Sequence, residues 1–74
     1  GEVDFVLQHS GNVIPLEVKA EENLQAKSLK FFVSNNELPF GVRTSMSDYR
    51  KQDKLINLPL YALSQLWEVC DAFN

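Results

Sequence analysis

Two carboxylates and an ammonium group near the N-terminus have residue types and a spacing that suit phosphodiester chemistry. Asp4 comes two residues after Glu2, and Lys19 comes two residues after Glu17. Hydrolysis of a phosphodiester needs an activated water and neutralised phosphoryl oxygens, which one or two Mg²⁺ ions supply. Mg²⁺ takes oxygen ligands and keeps several waters, so two carboxylates and a backbone carbonyl are enough. The alternative interpretation is a solvated strand face with a Glu2–Lys19 cross-strand pair.

These residues lie in two segments whose sequence predicts the strands of a β-hairpin. Residues 2–9 and 12–19 alternate between two sets of side chains, one of which is apolar. A period of two residues is typical of a half-buried strand. Ser10 and Gly11 between the segments predict a tight turn.

The turn decides which charged residues face each other across the hairpin. If residues 10–11 form the loop, Asp4 lies opposite Glu17. If residues 11–12 form the loop instead, Asp4 lies opposite Lys19. Both registers keep the charges on one face of the sheet, because a shift of two positions preserves the alternation.

The charged face of the hairpin is a candidate metal site. Cross-strand neighbours lie about 4.5–5.5 Å apart, so Asp4 and Glu17 are predicted to share one Mg²⁺ ion. The backbone carbonyl of Val18 is the expected third ligand. Lys19 is predicted to orient the attacking water or to stabilise the developing charge. Asp4, Glu17 and Lys19 are therefore the predicted catalytic residues.

The rest of the chain predicts two helices and two further strands. The predicted order after the hairpin is a helix over about 24–35, a strand over 40–44, a polar loop over 45–54, a strand over 55–57 and a helix over 59–72. Leu29, Phe32 and Val33 have the spacing of a buried helical stripe. Pro59 suits the first turn of the last helix, where its missing N–H is not needed. The apolar stripe predicted for that helix consists of Leu63, Leu66, Trp67, Cys70 and Phe73.

Polar residues mark both ends of the first helix. Asn23 is the predicted N-cap, with Glu21 and Glu22 near the positive end of the helix. Asn35 and Asn36 predict its C-terminus, with one of the two in the left-handed conformation. Because this helix connects the hairpin to the next strand, we expect that strand to run parallel to the second strand.

The predicted order of elements is ββαβ(β)α, which is typical of an α/β or α+β fold with a mixed sheet. The length allows one domain at most, over residues 1–74. Strand-like sequence begins directly after Gly1, so we expect a C-terminal fragment of a longer polypeptide.

The net charge of −3 does not by itself favour nucleic-acid binding, for which a basic patch is expected. The chain has 10 acids and 7 bases, so setting aside the three acids at positions 2, 4 and 17 leaves equal numbers. The single cysteine, Cys70, is predicted to be a core thiol and fits a reducing cytoplasm. No apolar run approaches the roughly 18 residues of a membrane span, so no membrane partner is expected.

Five further residues need an interpretation. Lys27, Ser28 and Arg43 are predicted to contact phosphates near the site, although a solvated helix flank and strand end would explain them equally well. His9 is expected to be an exposed turn residue. Trp67 is expected to be a packing residue rather than a platform for base stacking.

The hairpin resembles a known superfamily. An Asp, a spacer and Glu-x-Lys, followed by a helix, form a pattern similar to that of the PD-(D/E)xK nuclease-like superfamily. A longer ordered set of strings, spanning residues 2 to about 61, resembles the C-terminal domain of a prokaryotic AAA-type ATPase family. The strings are Glu2-Val3-Asp4-Phe5-Val6, Ile14-Pro15-Leu16-Glu17-Val18-Lys19-Ala20, Lys27-Ser28-Leu29, Val42-Arg43-Thr44-Ser45 and Leu58-Pro59-Leu60-Tyr61.

The resemblance implies roles for individual residues and for absent parts of the protein. Asp4 and Glu17 would be metal ligands, Lys19 the catalytic lysine and Glu2 an additional acid. The nuclease-like core would be truncated, because the superfamily usually has a helix and a strand before the Asp strand. ATP would bind only to an N-terminal ATPase module, since these residues contain no P-loop motif.

Two functions are therefore expected for this chain. The first is Mg²⁺-dependent DNA binding or cleavage within a full-length cytoplasmic ATPase, with the fragment inactive alone. The second is a non-catalytic module that binds a protein partner or oligomerises the ATPase. An exposed sheet edge would also allow two copies to pair as a homodimer.

Overall fold

The computed structural model describes residues 3–19 and 27–73 of the chain. These residues form strands, two α-helices and a 3₁₀ helix that lies between the last strand and the last α-helix. In chain order the elements are β1 (Phe5–His9), β2 (Asn12–Val18), α1 (Lys27–Asn35), β3 (Gly41–Ser45), β4 (Arg50–Gln52), β5 (Leu55–Pro59), the 3₁₀ helix (Leu60–Gln65) and α2 (Leu66–Ala72).

The strands form one five-stranded mixed sheet in the order β1-β2-β3-β5-β4. The central pairs β2–β3 and β3–β5 are parallel, whereas the outer pairs β1–β2 and β4–β5 are antiparallel. Parallel neighbours need a crossover connection, and α1 supplies it between β2 and β3. The predicted mixed sheet and the parallel third strand are confirmed, but the observed order contains one strand more than the predicted one.

The β1–β2 hairpin has the first of the two registers that the sequence allowed. Phe5 pairs with Leu16, and the ladder continues to the turn. Ser10 and Gly11 have φ angles of 51° and 81°, and two left-handed residues in a two-residue loop match the twist of the strands. The alternative register is therefore wrong. Pro15 lies just before the β2–β3 ladder, which begins at Leu16, so its missing N–H breaks no pairing with β3.

The main hydrophobic core lies between one face of the sheet and the two C-terminal helical elements. Alternate residues of the central strands supply one side of it, and α2 supplies buried residues on the other. The ring of Phe73 stacks on Phe40 with 4.3 Å between the ring centroids. The buried members of this core are Ile14, Leu16, Phe40, Val42, Ile56, Leu58, Leu66 and Cys70.

Helix α1 packs on the opposite face of the sheet. Leu29 and Val33 are buried, which confirms two residues of the predicted stripe, whereas Phe32 is half-buried. The helix comes close to β3 at Gly41, where a Cβ atom would lie 2.8 Å from Cγ2 of Val33. Only glycine permits this approach, because real Cβ contacts are longer than that. The helix therefore packs closely on β2 and β3.

The C-terminus of α1 differs in detail from the sequence prediction. The residue in the left-handed conformation is Glu37, with φ 53°, rather than Asn35 or Asn36. The amide of Leu38 donates to the carbonyl of Val33 at 2.9 Å, and the amide of Glu37 donates to Ser34. These two bonds form a Schellman motif, which places the left-handed residue after the asparagines. The predicted N-cap, Asn23, lies outside the described residues.

The C-terminal half contains the main errors of the sequence prediction. The segment predicted as a loop, 45–54, contains β4, whose residues are all exposed and show no apolar alternation. The predicted strand over 55–57 extends to Pro59. The predicted helix over 59–72 is divided into the 3₁₀ helix and α2, with Pro59 at the N-cap as its fixed φ suggests. No helix within residues 3–19 and 27–73 is long and apolar enough to cross a membrane.

Candidate functional site

A row of polar residues crosses the sheet on the face that carries α1. The ladders place Glu17 beside Arg43, Arg43 beside Asn57, and Asn57 beside Arg50. Asp4 lies one residue before β1, and its amide donates to Leu16, the residue already paired with Phe5, so the ladder does not extend to the predicted Asp4–Glu17 pair. We call the four residues Glu17, Arg43, Asn57 and Arg50 the polar row. Their strand neighbours point into the core on the other face, because side chains alternate along a strand.

Asp4 holds the open end of the hairpin. Its Oδ2 atom accepts a hydrogen bond of 2.8 Å from the backbone amide of Val18. Its own amide donates to the carbonyl of Leu16 at 3.2 Å. In an extended strand the N–H and C=O of one residue point to the same side, so the Val18 carbonyl also faces the Asp4 side. Asp4 and this carbonyl, both predicted as metal ligands, therefore lie on the same side of β2.

Glu17 forms a buried ion pair with Arg43. The two residues are 5% and 3% exposed, and Nε of Arg43 lies 3.8 Å from Oε1 of Glu17. Neither atom makes a hydrogen bond, and the same is true of Nη1 of Arg43. The contact is thus coulombic, because 3.8 Å is beyond hydrogen-bond range. The sequence did not predict this partner for Glu17, since strand order decides which residue lies beside it.

Lys19 follows the last residue of β2 and is exposed. Its backbone amide donates to the carbonyl of Thr44 at 2.9 Å, which extends the β2–β3 pairing beyond the strand. Lys19 comes two positions after Glu17, so both residues belong to the same face of the sheet. Glu2, the predicted additional acid, lies outside the described residues.

The donor set around Asp4 can be tested against the needs of Mg²⁺. Among residues 3–19 and 27–73, no three His, Cys, Asp or Glu side chains come together as a metal-binding group. The carboxylates of Asp4 and Glu17 and the Val18 carbonyl have the oxygen chemistry that Mg²⁺ prefers. Oε1 of Glu17 is buried without a hydrogen-bond partner and faces Nε of Arg43. The chemistry of these oxygens suits Mg²⁺, but the described residues do not form an assembled metal-binding group.

Asn57 is a member of the polar row that the sequence did not single out. Its Oδ1 accepts a hydrogen bond of 2.7 Å from Oγ of Ser45. Its Nδ2 donates to the carbonyls of Ser47 and Asp48 at 3.1 and 2.9 Å. The amide thus ties the loop between β3 and β4 to the sheet. An asparagine inside the apolar segment of β5 was the signal that could have revealed it.

Two of the three residues predicted to contact phosphate lie together in the structure. Lys27 and Arg43 line one pocket on the α1 face, whereas Ser28 is not among its lining residues. The pocket has a volume of about 670 Å³. Its charged lining residues are Lys27, Lys30, Arg43, Arg50, Asp53 and Lys54. We call it the basic pocket.

A second cluster joins the turn of the hairpin to α2. The His9 ring stacks on Trp67 with 4.5 Å between the ring centroids and 12° between the planes. Nε2 of His9 lies 2.7 Å from Oδ1 of Asp71. The expectation that His9 is an exposed turn residue is therefore wrong, because α2 returns across this end of the hairpin. Trp67 is 42% exposed.

Cys70 lies beside this cluster and is buried, so the predicted core thiol is confirmed. Burial raises the pKa of the thiol, because it disfavours the thiolate, and the neighbouring carboxylate of Asp71 raises this pKa further. The thiol thus stays protonated at neutral pH.

The fold and the polar row define a small mixed α/β domain with a charged face beside a basic pocket. The model of one protein family, described as a domain of unknown function (DUF4143), matches residues 1–63. The chain therefore belongs to the DUF4143 family. Searches of curated proteins and of solved structures return no significant match.

Proposed function

We propose that this chain is the nuclease-like module of a cytoplasmic AAA-type ATPase and binds or cleaves DNA with the help of Mg²⁺. The observation that carries the proposal is the contact between Asp4 and Val18, because the Asp4 carboxylate accepts a hydrogen bond from the Val18 amide and so lies beside the Glu17–Lys19 segment. The resemblance of the hairpin to the PD-(D/E)xK pattern supports it. Domains of this family are commonly found in proteins associated with AAA-type ATPases.

Each residue of the site has a role in this proposal. Asp4, Glu17 and the Val18 carbonyl hold Mg²⁺, and Glu2 is a further acid. When bound, the ion would supply an activated water and neutralise charge on the phosphoryl group. Lys19 orients the attacking water and stabilises developing charge.

Arg43 is the neighbour with which a metal ion would compete for the Glu17 carboxylate. The 3.8 Å contact contains no hydrogen bond between Nε and Oε1, so little directional bonding opposes a competing ion. With Glu17 as a metal ligand, Arg43 and Lys27 would be the residues that contact phosphate oxygens, and Ser28 would be a weaker contact of the same kind.

A metal titration tests the proposal directly. Mg²⁺ or Mn²⁺ at several times its Kd adds about 1 kcal/mol of stability, which raises Tm by about 4–8 °C in a domain of this size. Asp4→Asn should abolish this increase, because the substitution removes a ligand charge. Glu68→Gln, which removes an exposed carboxylate from α2, is the matched control and should respond like wild type.

Two outcomes of the titration would exclude the metal site. If neither metal changes Tm, or if Asp4→Asn responds as strongly as wild type, Asp4 and Glu17 do not hold an ion. Cleavage of DNA is a separate measurement. It is made on the full-length ATPase, since the fragment alone is expected to be inactive.

A second candidate function is a non-catalytic interaction or oligomerisation module of the ATPase. It is favoured by β1, an edge strand whose Phe5 and Val6 are 54% and 55% exposed. An edge strand without charged residues can pair with another chain, including a second copy of this one. Sedimentation that finds only monomer at high concentration would exclude the homodimer, and Val6→Lys should weaken any dimer that forms.

A further inference from the structure

The basic residues of this chain are concentrated in one place. Five of the 7 lysines and arginines of the chain line the basic pocket, although the net charge is −3. Asp53 is the only acid among the described lining residues. Solubilising charges are normally dispersed with both signs mixed, so this concentration of one sign in a concave site needs another explanation.

The cations converge on the pocket from both of its walls. Lys27 and Lys30 lie three residues apart on α1 and therefore share one helix face. Arg50 and Lys54 come from the opposite wall, formed by the β4–β5 hairpin. Cations on facing walls repel one another when no anion lies between them. An anion in the pocket would relieve that repulsion.

Arg43 connects the two walls and provides a second, independent indication of a ligand. Its side chain is 4% exposed, and both Nε and Nη1 lack a hydrogen-bond partner. Buried guanidinium donors are almost always bonded, because an unpaired buried polar group is costly. The planar guanidinium matches the oxygens of a phosphate group in a bidentate arrangement.

The size and the apolar lining of the pocket narrow the ligand class. A volume of about 670 Å³ falls within the range of about 300–1,000 Å³ that is usual for small-molecule sites. Val33 and Leu55 also line it, so an apolar surface lies beside the cations. A phosphate ester with an attached organic group uses both features, whereas a bare inorganic anion uses only the charges.

We propose that the basic pocket binds a phosphate ester, the phosphate group of a free nucleotide or of a nucleic-acid strand end, without a metal ion. This site goes beyond the proposed metal-dependent function, with which it shares Arg43 and Lys27. The two can fail separately, because phosphate binding is measured in EDTA, where no divalent ion is available.

The test measures the affinity of the chain for AMP, ATP, tripolyphosphate and inorganic phosphate by calorimetry in EDTA at low salt. We expect the nucleotides to bind more tightly than inorganic phosphate, with an affinity that falls as salt screens the charges. Arg50→Gln with Lys54→Gln should weaken nucleotide binding at least about tenfold. Both residues are exposed, so the double variant should fold, which circular dichroism checks.

Lys51→Gln is the control, because it removes one positive charge from β4, the strand that carries Arg50. Lys51 lies over the ring of Phe73 on the other face of the sheet, 4.4 Å from the ring centroid. Its replacement should change nucleotide affinity less than about twofold, since that charge lies outside the pocket. Equal weakening by Lys51→Gln and by the double variant would overturn the proposal, as would the absence of nucleotide binding at millimolar concentration.

Oligonucleotides separate the two sources of the phosphate group. Tighter binding of a 5′-phosphorylated oligonucleotide than of its 5′-hydroxyl form identifies a strand end, whereas tighter binding of AMP or ATP than of either identifies a free nucleotide. Equal affinity for the two oligonucleotides, together with no binding of nucleotides, would overturn the proposal. All these affinities are measured in EDTA, where no divalent ion is available, which keeps the pocket distinct from the metal site.

Discussion

Alternate residues of the same strands lie on the two faces of the sheet. One face buries apolar side chains and the other buries polar ones. Val42 and Ile56 point into the apolar core under α2 and are almost completely buried. Arg43 and Asn57, their immediate neighbours, lie on the α1 face and are also buried. Along β3 all five residues are buried, so burial does not distinguish the faces. The α1 face is the candidate site because its buried strand residues are polar rather than apolar.

The difference has an energetic meaning. The apolar face is stabilised by surface removed from water, at about 25 cal/mol per Å². The polar face must compensate the desolvation of each group, and Asn57 does so with three hydrogen bonds. The Glu17–Arg43 pair compensates only by charge, since Nε and Oε1 lack hydrogen-bond partners. That incomplete compensation is typical of a site arranged for a ligand rather than for stability.

The largest expected effect comes from removing one member of the buried ion pair. Arg43→Gln should lower the free energy of unfolding by about 3–5 kcal/mol, because it leaves Glu17 buried and unpaired. Ile56→Val on the apolar face should cost only about 0.5–1.5 kcal/mol. Urea denaturation measures both.

Two controls define what this comparison means. Arg50→Gln, an exposed substitution in the same polar row, should cost less than about 0.5 kcal/mol. Adding Glu17→Gln to Arg43→Gln should recover part of the loss, since no buried charge then remains. If Arg43→Gln costs no more than Arg50→Gln, the ion pair does not stabilise the polar face.

An intermediate loss of stability is expected on replacing Asn57, whose buried side-chain amide makes three hydrogen bonds. Asn57→Ala should destabilise the fold by about 1–3 kcal/mol, because the buried Ser45 hydroxyl and two loop carbonyls lose their partner. The amides of Ser47 and Asp48 should then exchange faster in hydrogen-exchange measurements. Gln52→Ala on exposed β4 is the control, and equal exchange in both variants would mean that Asn57 does not hold the loop.

The smallest expected effect belongs to the apolar face and depends on pH. Since the pKa of Cys70 is raised above its ordinary value of 9.0, the folded state keeps the thiol proton to a higher pH than the unfolded chain. This contribution is full below the unfolded pKa and is lost as pH rises through the folded pKa. Wild type should therefore lose more stability than Cys70→Ala as the pH rises above 9.0. Equal losses would contradict the shift.

The hairpin was the part of the fold that the sequence predicted best. Ser10 and Gly11 favour a two-residue turn, and that turn fixes the pairs along the ladder from His9–Asn12 to Phe5–Leu16. Local chemistry was sufficient here because the interacting residues are close in sequence. The metal site itself stays a prediction, since Asp4 lies beyond the end of this ladder and is not paired with Glu17.

The parts that the sequence did not predict depend on contacts between distant segments. Arg43 lies beside Glu17 only because β3 pairs with β2, and His9 meets Trp67 only because α2 crosses the hairpin. β4 was predicted as a loop because an exposed edge strand has no apolar face to show a period of two. In each case the missing information was the order of the strands or the path of a helix.

The sheet order also has a consequence for how this domain folds. Each outer pair is a hairpin with a short connection, and such hairpins form within about 1–10 μs, but an isolated hairpin is only marginally stable in water. β3 is the strand that joins the two hairpins, and it contacts β2 on one side and β5 on the other. Neither half of the sheet can therefore persist without the other, and a two-state transition in which both hairpins melt together is the natural behaviour of this chain.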